Sequence, residues 1–232
     1  MTTRNMQVWG FEKDVVFDPS NKEGWESKKQ PQSILRERAI EFAEQVSCIP
    51  LAFGIREKAQ KYATLLHFGQ FRKYYNPPLP YIVHPIDVAN RTASLAGATD
   101  ELIAACYLHD VSEDCGVEND VIQKYFGNEV ASFVDDLTNK FKDAKDSKGK
   151  LLPRAERKAL EFVRIKTIRK ESKWVKMVDR LDNLKDMDKV RAGDFVKVYS
   201  KESAKLLEVV QDSDETLASE LRALITKLGG YE

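Results

Sequence analysis

A histidine and three acidic residues follow directly after an apolar run in the segment LIAACYLHDVSED, residues 102–114. These polar residues are His109, Asp110, Glu113 and Asp114. Burying unpaired charge costs several kcal/mol, so the group needs partners, water or a metal ion. If the segment is one continuous helix, His109 stacks with Glu113 and Asp110 with Asp114. The segment therefore predicts part of a metal or catalytic site.

Two further residues in the chain are of a type that could complete such a site. His84, one of only three histidines, lies in YIVHP, and Asp179 lies among apolar neighbours in KMVDRLDNL. Imidazole and carboxylate ligands together suit divalent manganese, iron or zinc. The third histidine, His67, is expected to be structural and to bond the loop that positions His84.

Helical periodicity dominates from about residue 33 onward and predicts the elements that must position these residues. Pro85 fits the first position of a helix that carries His84. Thr99 or Asp100 is expected to cap a central helix that runs through ELIAACYLHDVSED. The last third of the chain reads as one or two amphipathic helices with a break near Ser213. The fold class predicted is all-α.

Composition and segment boundaries limit the classes of protein to consider. Residues 1–32 predict an N-terminal extension or arm with a short strand in VWGFEKDVVF, and residues 33–232 predict the main domain with the C-terminal helices. A net charge of zero does not favour nucleic-acid binding, and no run of apolar residues is long enough for a membrane span. Three cysteines without a paired pattern favour a reduced, cytoplasmic setting.

Five segments in order resemble the hydrolase domain of RelA/SpoT-homologue enzymes, and the organisation is similar to that of the stand-alone small alarmone hydrolases. They are LLHFGQFRK, PYIVHPIDVA, AACYLHDVSEDCG, FVDDLTNK and VKMVDRLDNLKDM. The resemblance implies a multi-helix HD-domain phosphohydrolase fold. It also implies metal-dependent hydrolysis of the 3′-pyrophosphate of (p)ppGpp to GDP or GTP and pyrophosphate. The implied cofactor is Mn²⁺, with another divalent metal as the alternative.

The same resemblance implies roles for individual residues. The residues that match the metal ligands are His84, His109, Asp110 and Asp179. The pair that matches the residues acting on the attacking water is Glu113 and Asp114. The residues that match nucleotide contacts are Arg72, Lys73, Asn183, Arg154 and Tyr199. Arg154 falls where the stand-alone relatives place a basic residue for the 5′ phosphates.

Two departures from the family pattern leave the substrate open. The segment KYYNPPLP after Arg72 is longer than usual, and Asp182 stands where histidine or tyrosine is often found. One alternative is an HD phosphohydrolase for another nucleotide, such as ppApp or NADPH. A different alternative is a catalytically weak, alarmone-binding regulatory protein. We expect a nucleotide as the partner, and we expect neither a membrane nor a nucleic acid as one. The oligomeric state stays open.

Overall fold

The computed structural model describes residues 32–47, 54–73, 75–190 and 193–231. Within these ranges the chain forms eleven α-helices and no strand beyond two isolated β-bridges, so the predicted all-α class is confirmed. The helices in chain order are α1 (Gln32–Ser47), α2 (Ile55–Leu66), α3 (Val83–Ala93), α4 (Asp100–Leu108), α5 (Val111–Asp114), α6 (Asn119–Phe126), α7 (Asn128–Leu137), α8 (Arg154–Ile165), α9 (Lys170–Val190), α10 (Phe195–Val210) and α11 (Glu215–Lys227).

Helix α4 lies in the centre of the fold. Every residue from Leu102 to Leu108 is buried, and the helix packs against α2, α3 and α7. Thr99 caps its start, because the side-chain oxygen accepts a hydrogen bond from the backbone N–H of Leu102 at 3.2 Å. Burial of each large apolar side chain contributes about 1.5–3 kcal/mol, so this helix is a rigid support for the residues that follow it.

The prediction of one helix through ELIAACYLHDVSED is wrong, because α4 ends at Leu108 and α5 begins at Val111. The ring Nδ1 of His109 donates to the Cys106 carbonyl at 2.7 Å. That carbonyl is the acceptor that a continuing helix would offer to the backbone N–H of Asp110. His109 and Asp110 therefore form a turn, and Glu113 does not stack on His109 along one helix.

Pro85 does not start its helix as predicted, because α3 begins two residues earlier at Val83. The backbone N–H groups of Val83 and His84 donate to loop carbonyls of Pro80 and Tyr81, at 3.3 and 3.0 Å. Pro85 occupies the third helical position, where its missing N–H costs no intrahelical bond.

The long helix α9 packs against α3, α10 and α11 and thus joins the two halves of the described fold. The predicted break near Ser213 is confirmed, since a short 3₁₀ turn at Gln211–Ser213 separates α10 from α11. The indole N–H of Trp174 on α9 donates to the Ser213 carbonyl at 2.9 Å, and Asp214 caps α11. The C-terminal helices are therefore tied to the helix that carries Asp179.

Two further predictions concern the N-terminal segment and membrane-spanning helices. Residues 1–31, including the strand expected in VWGFEKDVVF, lie outside the described residues, so the division at residue 32 stays a prediction. Among the described residues, no helix combines the length and the apolar character needed to cross a membrane.

The close approach at Gly230 generates a stability prediction. A Cβ atom added at Gly230 would lie 2.8 Å from the Ser200 carbonyl oxygen and would overlap the Ile225 side chain. The backbone N–H of Gly230 also donates to the Ile225 carbonyl at 2.9 Å, which holds the glycine in place. We expect Gly230→Ala to lower the free energy of unfolding by about 1–3 kcal/mol in urea denaturation. The exposed control Glu208→Ala should stay within about 0.5 kcal/mol, and an unchanged midpoint for Gly230→Ala would contradict the packing described.

Candidate metal and nucleotide site

Two histidines and two aspartates from three parts of the chain converge in the core. His84 comes from α3, His109 and Asp110 from the turn after α4, and Asp179 from α9. The Nε2 atom of His84 lies 3.1 Å from Asp179 Oδ1 and 3.7 Å from Asp110 Oδ2. The Nε2 atom of His109 lies 2.9 Å from Asp110 Oδ2 and 3.9 Å from Asp179 Oδ1. We call these four residues the histidine–carboxylate cluster.

The hydrogen bonds made by Nδ1 of His84 and of His109 determine the tautomer of each ring. They therefore determine whether Nε2 carries a free lone pair. His84 Nδ1 donates to Asp182 Oδ2 at 2.5 Å, and His109 Nδ1 donates to the Cys106 carbonyl. In the neutral form, which a metal-bound histidine takes, each ring carries its proton on Nδ1 and presents an unprotonated Nε2.

The chemistry of these donors fits a divalent metal ion. One ligand atom from each of His84, His109 and Asp110 lies within 4.8 Å of the others. His109 Nε2 is buried and makes no hydrogen bond among the described residues, since the nearby Asp110 oxygen does not lie in hydrogen-bonding geometry. Imidazole with carboxylate is a ligand set that borderline and hard divalent ions favour.

Concentrated negative charge marks this part of the core. Burial disfavours a charged His84 ring, but the hydrogen bonds with Asp179 and Asp182 outweigh burial and raise the pKa of His84 to about 10. Burial also favours neutral carboxyl groups, yet the histidines hold the pKa of Asp110 and the pKa of Asp179 below the usual range. The same field stabilises a divalent cation at the Nε2 atoms.

A cavity of about 170 Å³, which we call the first cavity, opens beside the cluster. Three members of the cluster line it: His109, Asp110 and Asp179. Three cationic side chains also line it: Lys158, Lys176 and Arg180. The first cavity thus combines a candidate metal site with groups that attract an anion.

Glu113 and Asp114 have different surroundings although they are adjacent. Glu113 lines the first cavity, and one of its oxygens accepts the backbone N–H of Asn139 at 2.7 Å. Burial raises the pKa of Glu113, which makes its carboxylate a stronger proton acceptor. Asp114 lines no part of this cavity, and Lys142 Nζ lies 3.4 Å from it.

Neither Arg72 nor Lys73 lines the first cavity. The Arg72 guanidinium donates to Asp186 at 2.9 and 2.6 Å and to Asn183 Oδ1 at 3.1 Å. The hydroxyl of Tyr75, in the lengthened segment, donates to the same Asp186 at 2.6 Å. Lys73 is exposed. The nucleotide contacts of Arg72 and Lys73 stay predictions.

The other predicted nucleotide contacts are divided between two places. Asn183 and Tyr199 line the first cavity, and the Asn183 amide donates to Asp179 Oδ1 at 2.6 Å. Arg154 lines a second cavity of about 190 Å³ instead. Its guanidinium forms a two-pronged ion pair with Glu202 at 2.7 and 2.8 Å, so part of its charge is already compensated.

Sequence reasoning missed the residues that orient the cluster. Asp182 holds the His84 ring, and the Tyr81 hydroxyl donates to Asp110 Oδ2 at 2.6 Å. The spacing of Asp182, three residues after Asp179 on α9, was the available signal, since such residues share a helix face. The structural role predicted for His67 is confirmed, because its Nδ1 bonds Gln70 Oε1 at 2.8 Å in the loop before His84.

Comparisons with known proteins agree with this arrangement. A family model described as HD domain matches residues 59–218. The human protein named guanosine-3′,5′-bis(diphosphate) 3′-pyrophosphohydrolase MESH1 is 30% identical over 74% of this chain and 93% of its own length. The Drosophila melanogaster protein of the same name is 33% identical over 55% of this chain and 66% of its own length.

Two solved structures share the fold. One is described as a metazoan ortholog of SpoT that hydrolyzes ppGpp, with a TM-score of 0.63, 24% identity and coverage of 77% of this chain and 97% of that chain. The other is lmo0812 from Listeria monocytogenes, with a TM-score of 0.50, 24% identity and coverage of 63% and 98%. Together with the family match, these relatives identify the fold as that of an HD phosphohydrolase. The chain belongs to the HD-domain family, in the group of RelA/SpoT-homologue hydrolases.

Proposed function

We propose that this protein is a metal-dependent hydrolase that removes the 3′-pyrophosphate of (p)ppGpp and releases GDP or GTP and pyrophosphate. The observation that carries the proposal is that one cavity is lined by three members of the histidine–carboxylate cluster, by Glu113 and by three cationic side chains. The names of the relatives supply the substrate class. A nucleotide with two phosphate-bearing groups needs both a divalent cation and protein cations for its charge.

His84, His109, Asp110 and Asp179 are the residues proposed to hold Mn²⁺. The Nε2 atoms and carboxylate oxygens that would face the ion are held in place by Asp182, Tyr81 and the Cys106 carbonyl. When bound, such an ion supplies polarisation of a phosphoryl oxygen and acidification of a water molecule.

Glu113 is the proposed general base of the reaction. One of its oxygens is engaged by the Asn139 N–H, and the carboxylate faces the first cavity. The oxygen of water attacks the phosphorus bonded to the ribose 3′ oxygen, and its proton passes to Glu113. The bond between that phosphorus and the 3′ oxygen breaks, the 3′ oxygen takes up a proton from solvent water, and Glu113 then releases its proton to solvent. Asp114 acts indirectly in this scheme, through Lys142 beside it.

Base selectivity is the part of the function that admits a second candidate. Arg72, expected to contact the nucleotide base, directs its donors to Asp186 and Asn183 instead. Nucleotides with another base, such as ppApp and NADPH, are therefore the second candidate substrates.

We also propose a reduced, cytoplasmic setting, because the cysteines form no paired pattern, and no nucleic-acid partner, because the net charge is zero.

Incubation of Mn²⁺-loaded protein with ppGpp, pppGpp, ppApp and NADPH tests the proposed function. We expect pyrophosphate with GDP from ppGpp and pyrophosphate with GTP from pppGpp, measured by anion-exchange chromatography. Release of free phosphate from NADPH, without turnover of the guanosine nucleotides, would contradict the proposal. Tight binding of ppGpp without turnover would instead support a regulatory binding protein.

Glu113→Gln separates proton transfer from metal binding. The amide keeps the size of the side chain and can accept the Asn139 N–H, but it cannot take a proton from water. We expect kcat to fall by about 10²–10⁴-fold while the Mn²⁺ dissociation constant stays within about threefold. The exposed Glu129→Gln is the matched control and should retain full turnover. Unchanged kcat in Glu113→Gln would remove Glu113 from the mechanism.

Asp182→Leu tests whether this carboxylate acts as a positioning residue for His84. Loss of the acceptor frees the His84 ring to rotate and to change tautomer, so Mn²⁺ affinity should fall by about 10–100-fold. The measurement is titration of free Mn²⁺ by electron paramagnetic resonance, which does not depend on turnover. Asp182→Asn is the matched control, because its amide oxygen still accepts from Nδ1 and should preserve most of the affinity. Equal affinities of Asp182→Leu and the unaltered protein would show that His84 needs no such support.

A further inference from the structure

The second cavity is rich in positive charge and contains no member of the histidine–carboxylate cluster. Four cationic side chains line it together with Glu113 and Asn139, and the cations are Lys142, Arg154, Arg157 and Lys158. One acidic group therefore faces four basic ones. Such a space attracts an anion but does not hold the proposed metal ligands.

Three of these cations are engaged by the protein itself. Arg154, Arg157 and Lys142 each donate to a carboxylate or to a backbone carbonyl. Lys158 differs, because within the part of the chain that the structure describes its ammonium group makes no hydrogen bond or ion pair. Lys158 also lines both cavities, so it stands where the two spaces meet.

Lys158 faces other cations rather than a compensating acid. Burial, and then the charge of Arg180, lower the pKa of Lys158, and Arg154 and Lys176 act in the same direction. Glu202 alone opposes them, and its oxygens are already bonded to Arg154. A half-buried lysine in this setting is unfavourable without a ligand, since its charge is partly desolvated and has no acidic partner.

Arg180 is a second lining cation that, among the described residues, donates to neither a carboxylate nor a backbone carbonyl. Its side chain is only 7% exposed, and its one hydrogen bond among the described residues runs from Nη1 to Ser203 Oγ at 3.2 Å. Its Nε is buried without a partner, and its guanidinium lies 4.3 Å from the centre of the Tyr199 ring. Arg180 lines the first cavity, next to Lys158.

We propose that Lys158, with Arg180 behind it, binds the phosphate-bearing group of the nucleotide that is not hydrolysed, the 5′-diphosphate. This inference rests on the proposed function for the identity of the substrate. A nucleotide whose 3′ group lies at the histidine–carboxylate cluster extends past Lys158 toward the second cavity. The 5′ phosphates then receive the two lining cations that donate to neither a carboxylate nor a backbone carbonyl among the described residues, whereas Arg154, expected in this role, is paired with Glu202.

The test compares two substrates that differ only in the 5′ group: ppGpp and guanosine 3′-diphosphate, which has no 5′ phosphate. In Lys158→Met we expect kcat/KM for ppGpp to fall by roughly 10–100-fold, the range for one lost hydrogen bond to a charged group. For guanosine 3′-diphosphate, kcat/KM of Lys158→Met should differ from that of the unaltered protein by less than about threefold. Lys158→Arg keeps the charge and should restore most of the activity on ppGpp, and the exposed Lys205→Met is the matched control. An equal fall on both substrates, or no fall on either, would overturn the inference.

Thermal unfolding without nucleotide distinguishes a ligand-binding lysine from a structural one. Removal of an uncompensated buried charge should raise the Tm of ligand-free Lys158→Met by about 2–4 °C. A structural lysine would give a lower Tm when it is replaced, and that result would contradict the inference.

Binding of GDP keeps this inference separate from the proposed function. GDP carries the 5′-diphosphate but no 3′ group, so calorimetry with GDP reports on the proposed subsite alone. Absence of ppGpp hydrolysis by the unaltered protein would end the proposed function. Weaker GDP binding by Lys158→Met would still support the subsite, and GDP binding equal to that of the unaltered protein would refute it.

Discussion

Two aspartates placed among buried histidines are the constraint on which the rest of the structure depends. Asp110 and Asp179 carry negative charge within the helical core, and such charge is tolerated only if cationic or hydrogen-bonding groups surround it. The groups come from α3, from the turn after α4 and from α9, so the packing of these three helices is also the construction of the site. The apolar burial of α4 supplies the rigidity that this arrangement needs.

Neighbouring residues fix the orientation of each member of the histidine–carboxylate cluster. Asp182 and the Cys106 carbonyl turn the Nε2 atoms of the two histidines toward the carboxylates, and Tyr81 and Asn183 hold the carboxylates themselves. α9 contributes Asp179, Asp182 and Asn183 within five residues, so a single helix supplies one member of the cluster and two residues that support it. Asp186, one turn later, takes Arg72 and Tyr75, which anchors the lengthened loop to the same helix. The loop that distinguishes this chain from its family pattern is thus joined to the site through α9.

The helices and the members of the cluster could be predicted from the sequence because both depend on short local sequence patterns. Apolar periodicity predicted the fold class, and the resemblance of the sequence motifs to the RelA/SpoT-homologue hydrolases indicated which histidines and aspartates meet. The sequence could not predict the end of α4 at Leu108, because the His109 ring competes for a helical acceptor only in the folded turn. It could not predict the ion pair of Arg154 either, because Glu202 lies far away in the chain and is brought near by the packing of α8 on α10. Lys158 and Arg180 read as ordinary surface or helix residues, and only their burial without acidic partners distinguishes them.

The acidic and basic side chains that line one cavity impose a relation between metal and nucleotide binding under the proposed function. The phosphates of a nucleotide are repelled by Asp110 and Asp179 unless a divalent cation balances those carboxylates, whereas Lys158 and Arg180 attract phosphate with or without the metal. With the proposed sites, the 5′ group is therefore expected to bind independently of the metal, and the 3′ group is expected to approach the cluster only when the metal charge is present. Glu113 lines both cavities, so it lies where the two phosphate-bearing groups are separated. The proposed general base is therefore expected to meet the 3′ phosphorus only when both halves of the nucleotide are held, which would link recognition of the distal phosphates to the chemical step.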